Sequence, residues 1–313
     1  MSTRPPAIFC ADIGGSFIDF ASVSPSGDIT GRTRLPTPCD DWTAFVAALS
    51  FLTSAPAEAA HPGTALHIAV AGLVDPDGGY MTTANIPCIN GRSLARELGA
   101  ALNRIVRVGN DADCFVLAEA RSGAGRGHPI VFGAILGTGV GGGLVVDGKL
   151  VRGAGGVTGE WGHGPFLSAT GQLAPYLPCG CGLSGCIDTI GGARGIERLH
   201  EFLHGSAIDS HAVVSAWLEG DRMATETVNR HVVLVGGALA WIVNLTGASI
   251  VPMGGGLASV PELVAAIDHH VRANILRRTS GPLVVMAMHR RDSGLLGAFH
   301  LAPGPDQPVA RIE

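Results

Sequence analysis

The sequence predicts an α/β protein built from two copies of one βββαβα unit, with a cleft between them. Three observations carry this. A strand, a glycine turn, a strand, a tight turn and a third strand follow one another over 7–35, and the same plan recurs over 130–151. After each meander, segments with helical and strand patterning alternate. Both first turns, G-G-S at 14–16 and G-T-G-V-G-G-G at 137–143, are rich in glycine, which lets a backbone come close to a ligand.

Residues 7–13 read as a short apolar strand carrying Asp12 and running into Gly14-Gly15. A strand resumes at 17–24, Ser26-Gly27-Asp28 turns it, 29–35 returns, and Pro36 and Pro38 end the meander. Asp40 or Asp41 caps a helix over 42–53. A polar loop rich in Ala and Pro follows. Then come a strand over 65–71 ending at Gly72, a helix over 92–102, a strand over 105–108, and a helix over 112–122 capped by Asn110 or Asp111. The second copy runs strand 130–136, glycine turn 137–143, strand 144–146, hairpin turn Asp147-Gly148 and strand 149–151. Helices follow over about 193–204, 208–218 and 221–246. A strand over 249–253 leads into Gly254-Gly255-Gly256, followed by a helix over 261–276, a strand over 283–288 and a helix over 293–301. The expected first domain is 1–120 plus 290–313, the last helix folding back onto it; the second is 121–289, and the hinge lies near 118–127. By analogy of fold, two such units with a cleft are the actin-like (RNase H-like) ATPase architecture.

Composition excludes several classes. The 313 residues are 46% apolar and 15% charged, with a net charge of −5, so no basic surface draws nucleic acid or an anionic membrane. No apolar run is expected to cross a membrane; the longest, around 232–243, is interrupted by Gly236 and Gly237. The N-terminus M-S-T-R-P-P has no apolar signal core, and seven cysteines, an odd number, argue against a disulfide framework. The expected location is cytoplasmic, with Cys10, Cys39, Cys88 and Cys114 reduced in the core or near a site.

D-I-G-G-S at 12–16 suits a phosphate: Gly14 and Gly15 offer backbone N–H groups, Ser16 a hydroxyl, and Asp12 a carboxylate for Mg2+. A plain hairpin is the alternative. In the second turn, Gly137, Thr138 and Gly139 fill the same role. It is neither a Walker loop, lacking Gly-Lys-Ser/Thr, nor a Rossmann turn, since a strand follows. Asp111, in N-D-A-D at 110–113, stands where a base for a hydroxyl nucleophile should lie, although by itself it reads equally as a helix cap. His163 with Cys179, Cys181 and Cys186 forms a Cys3His set suited to a closed, structural zinc site. Should one His163 nitrogen bind zinc, the other is free to face a substrate. Glu160 and His163 can meet a polyol, and Gly254, Gly255 and Gly256 allow close approach of an adenosine. Together these features point to a small-molecule phosphotransferase.

On D-I-G-G-S, A-N-I-P at 84–87, G-N-D-A-D-C-F at 109–115, I-L-G-T-G-V-G-G-G-L, G-E-W-G-H at 159–163, C-G-C-G-L-S-G-C-I-D and R-D-S-G-L-L-G-A at 291–298, the chain resembles the ROK family of sugar kinases and repressors. Among these it is most like the N-acetyl-D-glucosamine kinases. The resemblance implies ATP and Mg2+, a structural Zn2+ and a homodimer. It implies that Asp111 deprotonates the sugar 6-hydroxyl, and that Gly72, Asn85, Asn110, Glu160, His163 and Asp188 line the sugar site. Three positions depart from the family pattern: Phe17 stands where Lys is usual, Asp188 where Glu is usual, and Asp113 where Asn is common. The expected activity is phosphorylation of O6 of N-acetylglucosamine. Glucose and N-acetylmannosamine are the alternative acceptors, and a catalytically weak sugar-binding protein is the alternative class. A repressor is not expected, because the first motif begins at residue 12 and leaves no room before it for a winged helix-turn-helix.

Overall fold

The computed structural model describes residues 7–54 and 63–301. Most of the polar loop expected after residue 53 falls in 55–62 and lies outside the described residues. The chain forms two compact units. The described residues of Met1–Ala118, Arg152–Thr158 and Arg291–Glu313 make one, and Glu119–Val151 with Gly159–Arg290 make the other.

In the first unit β1 (Ile8–Ile13), β2 (Phe17–Val23) and β3 (Ile29–Pro36) form the meander. They are followed by α1 (Trp42–Ser54), β4 (Leu66–Val70), a hairpin of β5 (Leu73–Val74) and β6 (Met81–Thr82), α2 (Leu94–Leu102), β7 (Val106–Asn110) and α3 (Asp111–Ser122). The main sheet has the order β3-β2-β1-β4-β7, with β1, β4 and β7 parallel. Phe9, Cys10, Ala11 and Ile13 are all buried, the pattern of a strand covered on both faces. On the edge strand β3, arginines and threonines face solvent, which blunts edge-to-edge pairing. The short β5–β6 hairpin was not legible in the sequence, because two-residue strands carry no periodicity.

In the second unit β8 (Ile130–Leu136), β9 (Val140–Val146) and β10 (Lys149–Leu150) form the other meander. Then come α4 (Asp188–Gly191), α5 (Ala193–His204), α6 (Ser210–Leu218), α7 (Arg222–Thr246), β11 (Val251–Gly254), α8 (Pro261–Ala273) and β12 (Val284–Met286). The sheet order is β10-β9-β8-β11-β12, which matches the first sheet strand for strand. The duplication is therefore structural, and each sheet extends the βββαβα plan by a fifth strand. The expected glycine turn over 137–143 is shorter than the sequence implied. Only 137–139 turn, while Gly141, Gly142 and Gly143 belong to β9, where the Trp161 indole packs against Gly142 and donates to the Gly141 carbonyl at 2.7 Å. Glycine serves packing there.

Among the described residues α7 is the one helix long and apolar enough to cross a membrane, and its length exceeds the run the sequence suggested. Gly236 and Gly237 do not interrupt it, since the His270 ring of α8 packs against Gly236. Its buried face, which includes Thr227 and His231, packs on α5, α6 and α8, as a core helix does. The last helix, α9 (Ser293–His300), packs on β1, β4 and β2 in the first unit. Gly297 lets α9 lie on the Cys114 backbone, where a Cβ would overlap main-chain atoms. Gly297→Ala is therefore expected to destabilise by about 1–3 kcal/mol. Gly237→Ala, into open space on α7, is expected to stabilise by up to about 1 kcal/mol. Thermal unfolding of both variants checks the pair; a neutral Gly297→Ala would show that α9 is loosely seated.

Candidate active site

In the first unit, the candidate residues gather at the carboxyl ends of the parallel strands, where open α/β sheets bind ligands. β1 ends beside Val70 of β4, which lies beside Asn110 of β7. The Gly14-Gly15-Ser16 turn follows β1, Gly72 follows β4, and Asp111 follows β7. Asn85 lies against the turn, its carbonyl oxygen 3.1 Å from where a Cβ on Gly15 would sit.

The turn is built as a donor surface. Thr37 Oγ1 donates to the Gly14 carbonyl at 2.7 Å, the Cys39 thiol to the Gly15 carbonyl at 2.9 Å, and Thr37 N–H to the Ser16 carbonyl at 3.0 Å. In a trans peptide the next N–H points opposite the carbonyl. Tying three carbonyls to residues 37–39 therefore turns the N–H groups of Gly15, Ser16 and Phe17 the other way. The N–H groups of Gly15 and Ser16 take no protein acceptor among the described residues. Sequence reasoning missed Thr37, and it placed Cys39 only as near a site. The T-P-C run after β3 carries no signal until the turn it holds is known.

Asn110 is the cap of α3. Its Oδ1 accepts from Ala112 N–H at 2.8 Å and Asp113 N–H at 3.1 Å, and its Nδ2 donates to the Gly72 carbonyl at 2.8 Å. The Asn110 amide group is thus tied to the Gly72 carbonyl and also supports the Asp111 carboxylate. Asp111 Oδ1 accepts from Ala112 N–H at 2.9 Å. The Asp111 carboxyl is open to solvent but densely surrounded by protein. This partial desolvation pushes its pKa up, against the pull of the Ala112 amide and the Asn110 side chain. Asp12 is pushed up to about 6, first by burial and then by the negative charges of Asp111 and Asp19, while Arg32 opposes the shift. Arg32 Nε donates to Asp19 Oδ1 at 3.0 Å and its Nη1 to Asp292 Oδ1 at 2.7 Å, which fastens β3 to β2 and to the start of α9. A crowded carboxylate of this kind fits a hard divalent cation such as Mg2+.

In the second unit the turn after β8 is held from both sides. Asp188, at the start of α4, accepts from Val140 N–H at 2.7 Å, and a Cβ on Gly139 would overlap its carboxylate. Ala193 N–H donates to the Gly137 carbonyl at 2.8 Å. Gly255, with φ of +90°, lies on the backbone of Leu136 and Gly137, so the 254–256 loop and the 137–139 turn meet while Thr138 stays exposed. Gly254 itself is buried in β11 and Gly256 is exposed.

The ligand atoms of His163, Cys179, Cys181 and Cys186 all lie within 4.8 Å of one another. Cys181 Sγ is 3.7 Å from Cys186 Sγ, and Cys179 Sγ is 3.6 Å from His163 Nδ1. Ligands of a tetrahedral zinc with ordinary bond lengths sit about 3.5–3.8 Å apart, so these residues fit that metal. The Cys181 thiol is shifted down, chiefly by the Leu183 amide, and Cys179 is pushed up to about 12, chiefly by burial. The Gly164 amide also donates to Cys186 Sγ, at 3.3 Å. His163 Nε2 stands 3.7 Å from Glu160 Oε2, away from the thiols. Asp188 Oδ2 accepts from the Cys179 thiol at 3.6 Å, so both of its oxygens have protein partners.

A model described as the ROK family matches residues 8–304. The chain is 37% identical over 303 residues to the N-acetylgalactosamine kinase AgaK of Shewanella sp. (strain ANA-3), covering 96% of this chain and 97% of that one. It is 35% identical over 294 residues to an N-acetyl-D-glucosamine kinase of Erwinia tasmaniensis, covering 93% and 97%. A ROK family glucokinase from Streptomyces griseus, solved with glucose and AMPPNP, superposes with a TM-score of 0.75 at 28% identity, covering 95% and 99%. The fold is that of a sugar kinase with the actin-like ATPase architecture. The chain belongs to the ROK family.

The raised pKa of Asp12 sets a testable stability profile. The folded value lies above the unfolded one, so ionised Asp12 costs stability above pH 6, and the cost disappears as pH falls below the unfolded pKa near 4. Asp12→Asn is expected to raise the melting temperature of Mg2+-free protein near pH 7, a gain of about 1–3 kcal/mol, and to change it little near pH 4. A variant that melts at or below wild type near pH 7 would mean that the carboxylate is stabilised where it stands.

Proposed function

We propose that this chain transfers the γ-phosphoryl group of ATP to the 6-hydroxyl of N-acetyl-D-glucosamine. The observation that carries the reading is the partly desolvated Asp111 at the end of β7, beside a turn whose N–H donors are turned outward. A raised carboxylate pKa suits a group that accepts a hydroxyl proton late in phosphoryl transfer. Asp111 orients the hydroxyl and takes its proton. The turns at 14–16 and 137–139 hold phosphate oxygens, with Ser16 and Thr138 adding hydroxyl donors. Asn85, Asn110, Glu160 and His163 bind sugar hydroxyls, and the 254–256 loop gives the adenosine close access. Asp12 is the carboxylate that would hold Mg2+, which supplies charge neutralisation of the phosphates when bound. Catalysis then rests on positioning and charge.

The acceptor reading draws on relatives named as N-acetylglucosamine kinases at 31–35% identity. A second reading, N-acetylgalactosamine, is favoured by the kinase of that name at 37%. Glucose remains an alternative through the Streptomyces glucokinase. The zinc reading places Zn2+ on Nδ1 of His163 and the three thiolates, in a closed structural site. A cytoplasmic homodimer belongs to the same proposal. Exposed Val233, Trp241 and Leu245 on α7 are side chains a partner would cover.

ADP release with MgATP over N-acetylglucosamine, N-acetylgalactosamine, N-acetylmannosamine, glucose and no sugar tests the acceptor. The highest kcat/KM is expected for N-acetylglucosamine, and a win by any other sugar replaces the substrate assignment. Asp111→Asn is expected to lower kcat by about 10²–10⁴-fold with sugar affinity nearly unchanged. Turnover near wild type in that variant would remove Asp111 from the base role. Elemental analysis is expected to find stoichiometric zinc in the purified protein. Cys186→Ser is expected to lose that zinc and lower the melting temperature; a zinc-free wild type of full stability would end the metal reading.

A further inference from the structure

The first phosphate turn lacks a cation of its own sequence, yet the structure brings one to it from β3. A cavity of about 320 Å3 is lined by Asp12, Gly14, Gly15, Ser16, Asp19 and Arg34, with Phe17 at its rim. The β2–β3 register pairs Phe17 with Pro36 and Asp19 with Arg34, so Arg34 lies diagonally across from Phe17. Its guanidinium sits over the Phe17 ring, 4.1 Å from the centroid. The neighbouring Arg32 is spent on Asp19 and Asp292. Arg34 has no carboxylate partner among the described residues, although Asp19 faces it across the strands.

This arrangement has a chemical use. A guanidinium on an aromatic face loses freedom without losing its charge or its donors. Its fork matches phosphate oxygens, and the adjacent N–H groups of Gly15 and Ser16 are also without protein acceptors. Arg32 pairs with Asp19 and Asp292, so Arg34 is the guanidinium left at this turn for a phosphate oxygen. We propose that Arg34, held by Phe17, is the phosphate-binding cation of this turn and contacts the oligophosphate of the phosphoryl donor. The proposal rests on the kinase reading above, and it assigns to β3 and to Phe17 a role in donor affinity.

The test is steady-state kinetics on the full chain with the best acceptor, together with calorimetric titration of MgAMPPNP, which needs no turnover. Arg34→Gln is expected to raise the KM for MgATP and the Kd for MgAMPPNP about 10-fold or more, the scale of a lost charged hydrogen bond. The acceptor KM should stay within about two-fold. Phe17→Leu keeps the cation but removes its platform, and is expected to weaken the donor by less. Phe17→Lys in the Arg34→Gln background places an ammonium in the same cavity and should restore most of the loss. Melting temperatures of all variants should match wild type, since Arg34 is an exposed strand residue. Wild-type donor affinity in Arg34→Gln overturns the proposal, as does an equal loss for donor and acceptor. A wild type that binds MgAMPPNP but phosphorylates no sugar ends the kinase reading while the Arg34→Gln titration still decides this one. A wild type that binds no MgAMPPNP overturns both.

Discussion

The carboxylate of Asp188 is the constraint on which the second unit's chemistry depends. One oxygen fixes Val140 N–H at the start of β9, and the other meets the Cys179 thiol. Asp188 therefore joins the cysteine knuckle to the 137–139 turn, the second of the two proposed phosphate turns. Gly139 has no side chain because this carboxylate occupies the space a Cβ would need. The Gly137 carbonyl is then taken by Ala193 at the start of α5, and Gly255 closes over the same turn from β11. Two chain segments distant from the turn in sequence, 188–193 and Gly255, thus converge on its three residues. A turn held this way enters binding already ordered, and little conformational entropy is left to lose. Were Cys179 to bind zinc as a thiolate, it would have no proton to give Asp188 Oδ2, and that oxygen would be left to accept from the sugar hydroxyl that the proposed role requires.

The first unit solves the equivalent problem with different chemistry on the same sheet order. Its turn follows the corresponding strand, but hydroxyl, thiol and amide donors from residues 37–39 hold its carbonyls in place of a carboxylate holding an amide. The ends of the two sheets are thus alike in topology and unlike in detail. The shared feature is a glycine turn after the first strand of each sheet, held in shape by side-chain or backbone partners from later in the chain. The differing feature is charge. The first turn lies among Asp12, Asp19, Arg32 and Arg34, whereas the second has Thr138 exposed and Asp188 tied down. The proposed Mg2+ role is accordingly placed at the first turn, where carboxylates crowd.

Much of this was legible in the sequence, and the reasons are specific. β8 and α5 fall on the predicted residues because an unbroken apolar run and a strong helical period end in glycine signals. The Cys3His set was readable because three cysteines in eight residues with intervening glycines have few other uses. Gly141–Gly143 misled because glycine in a strand looks like glycine in a turn; the side chain that requires it, Trp161, lies about twenty residues on. Asp188 was read from its place in the motif as a sugar ligand, and nothing local marks its partner, Val140, 48 residues earlier. Thr37 was missed, and Cys39 placed only near a site, for the same reason: each holds a turn 23 or 24 residues earlier, and a single sequence does not show that pairing.

The thiol cluster has a consequence for recognition that goes beyond holding the fold. His163 presents Nδ1 to Cys179 and Nε2 toward Glu160. A metal on Nδ1 leaves the proton of a neutral imidazole on Nε2, so that nitrogen becomes a fixed donor. Glu160 Oε2 lies 3.7 Å from that nitrogen, beyond hydrogen-bond distance. A donor and an acceptor at this spacing match two neighbouring hydroxyls of a pyranose, one accepting and one donating. Without the metal the ring can turn and either nitrogen can carry the proton, so the pair no longer has a defined polarity. A structural ion would in this way set the hydrogen-bond pattern of the proposed sugar site, the tight Cys-Gly-Cys knuckle then holding one imidazole in one tautomer.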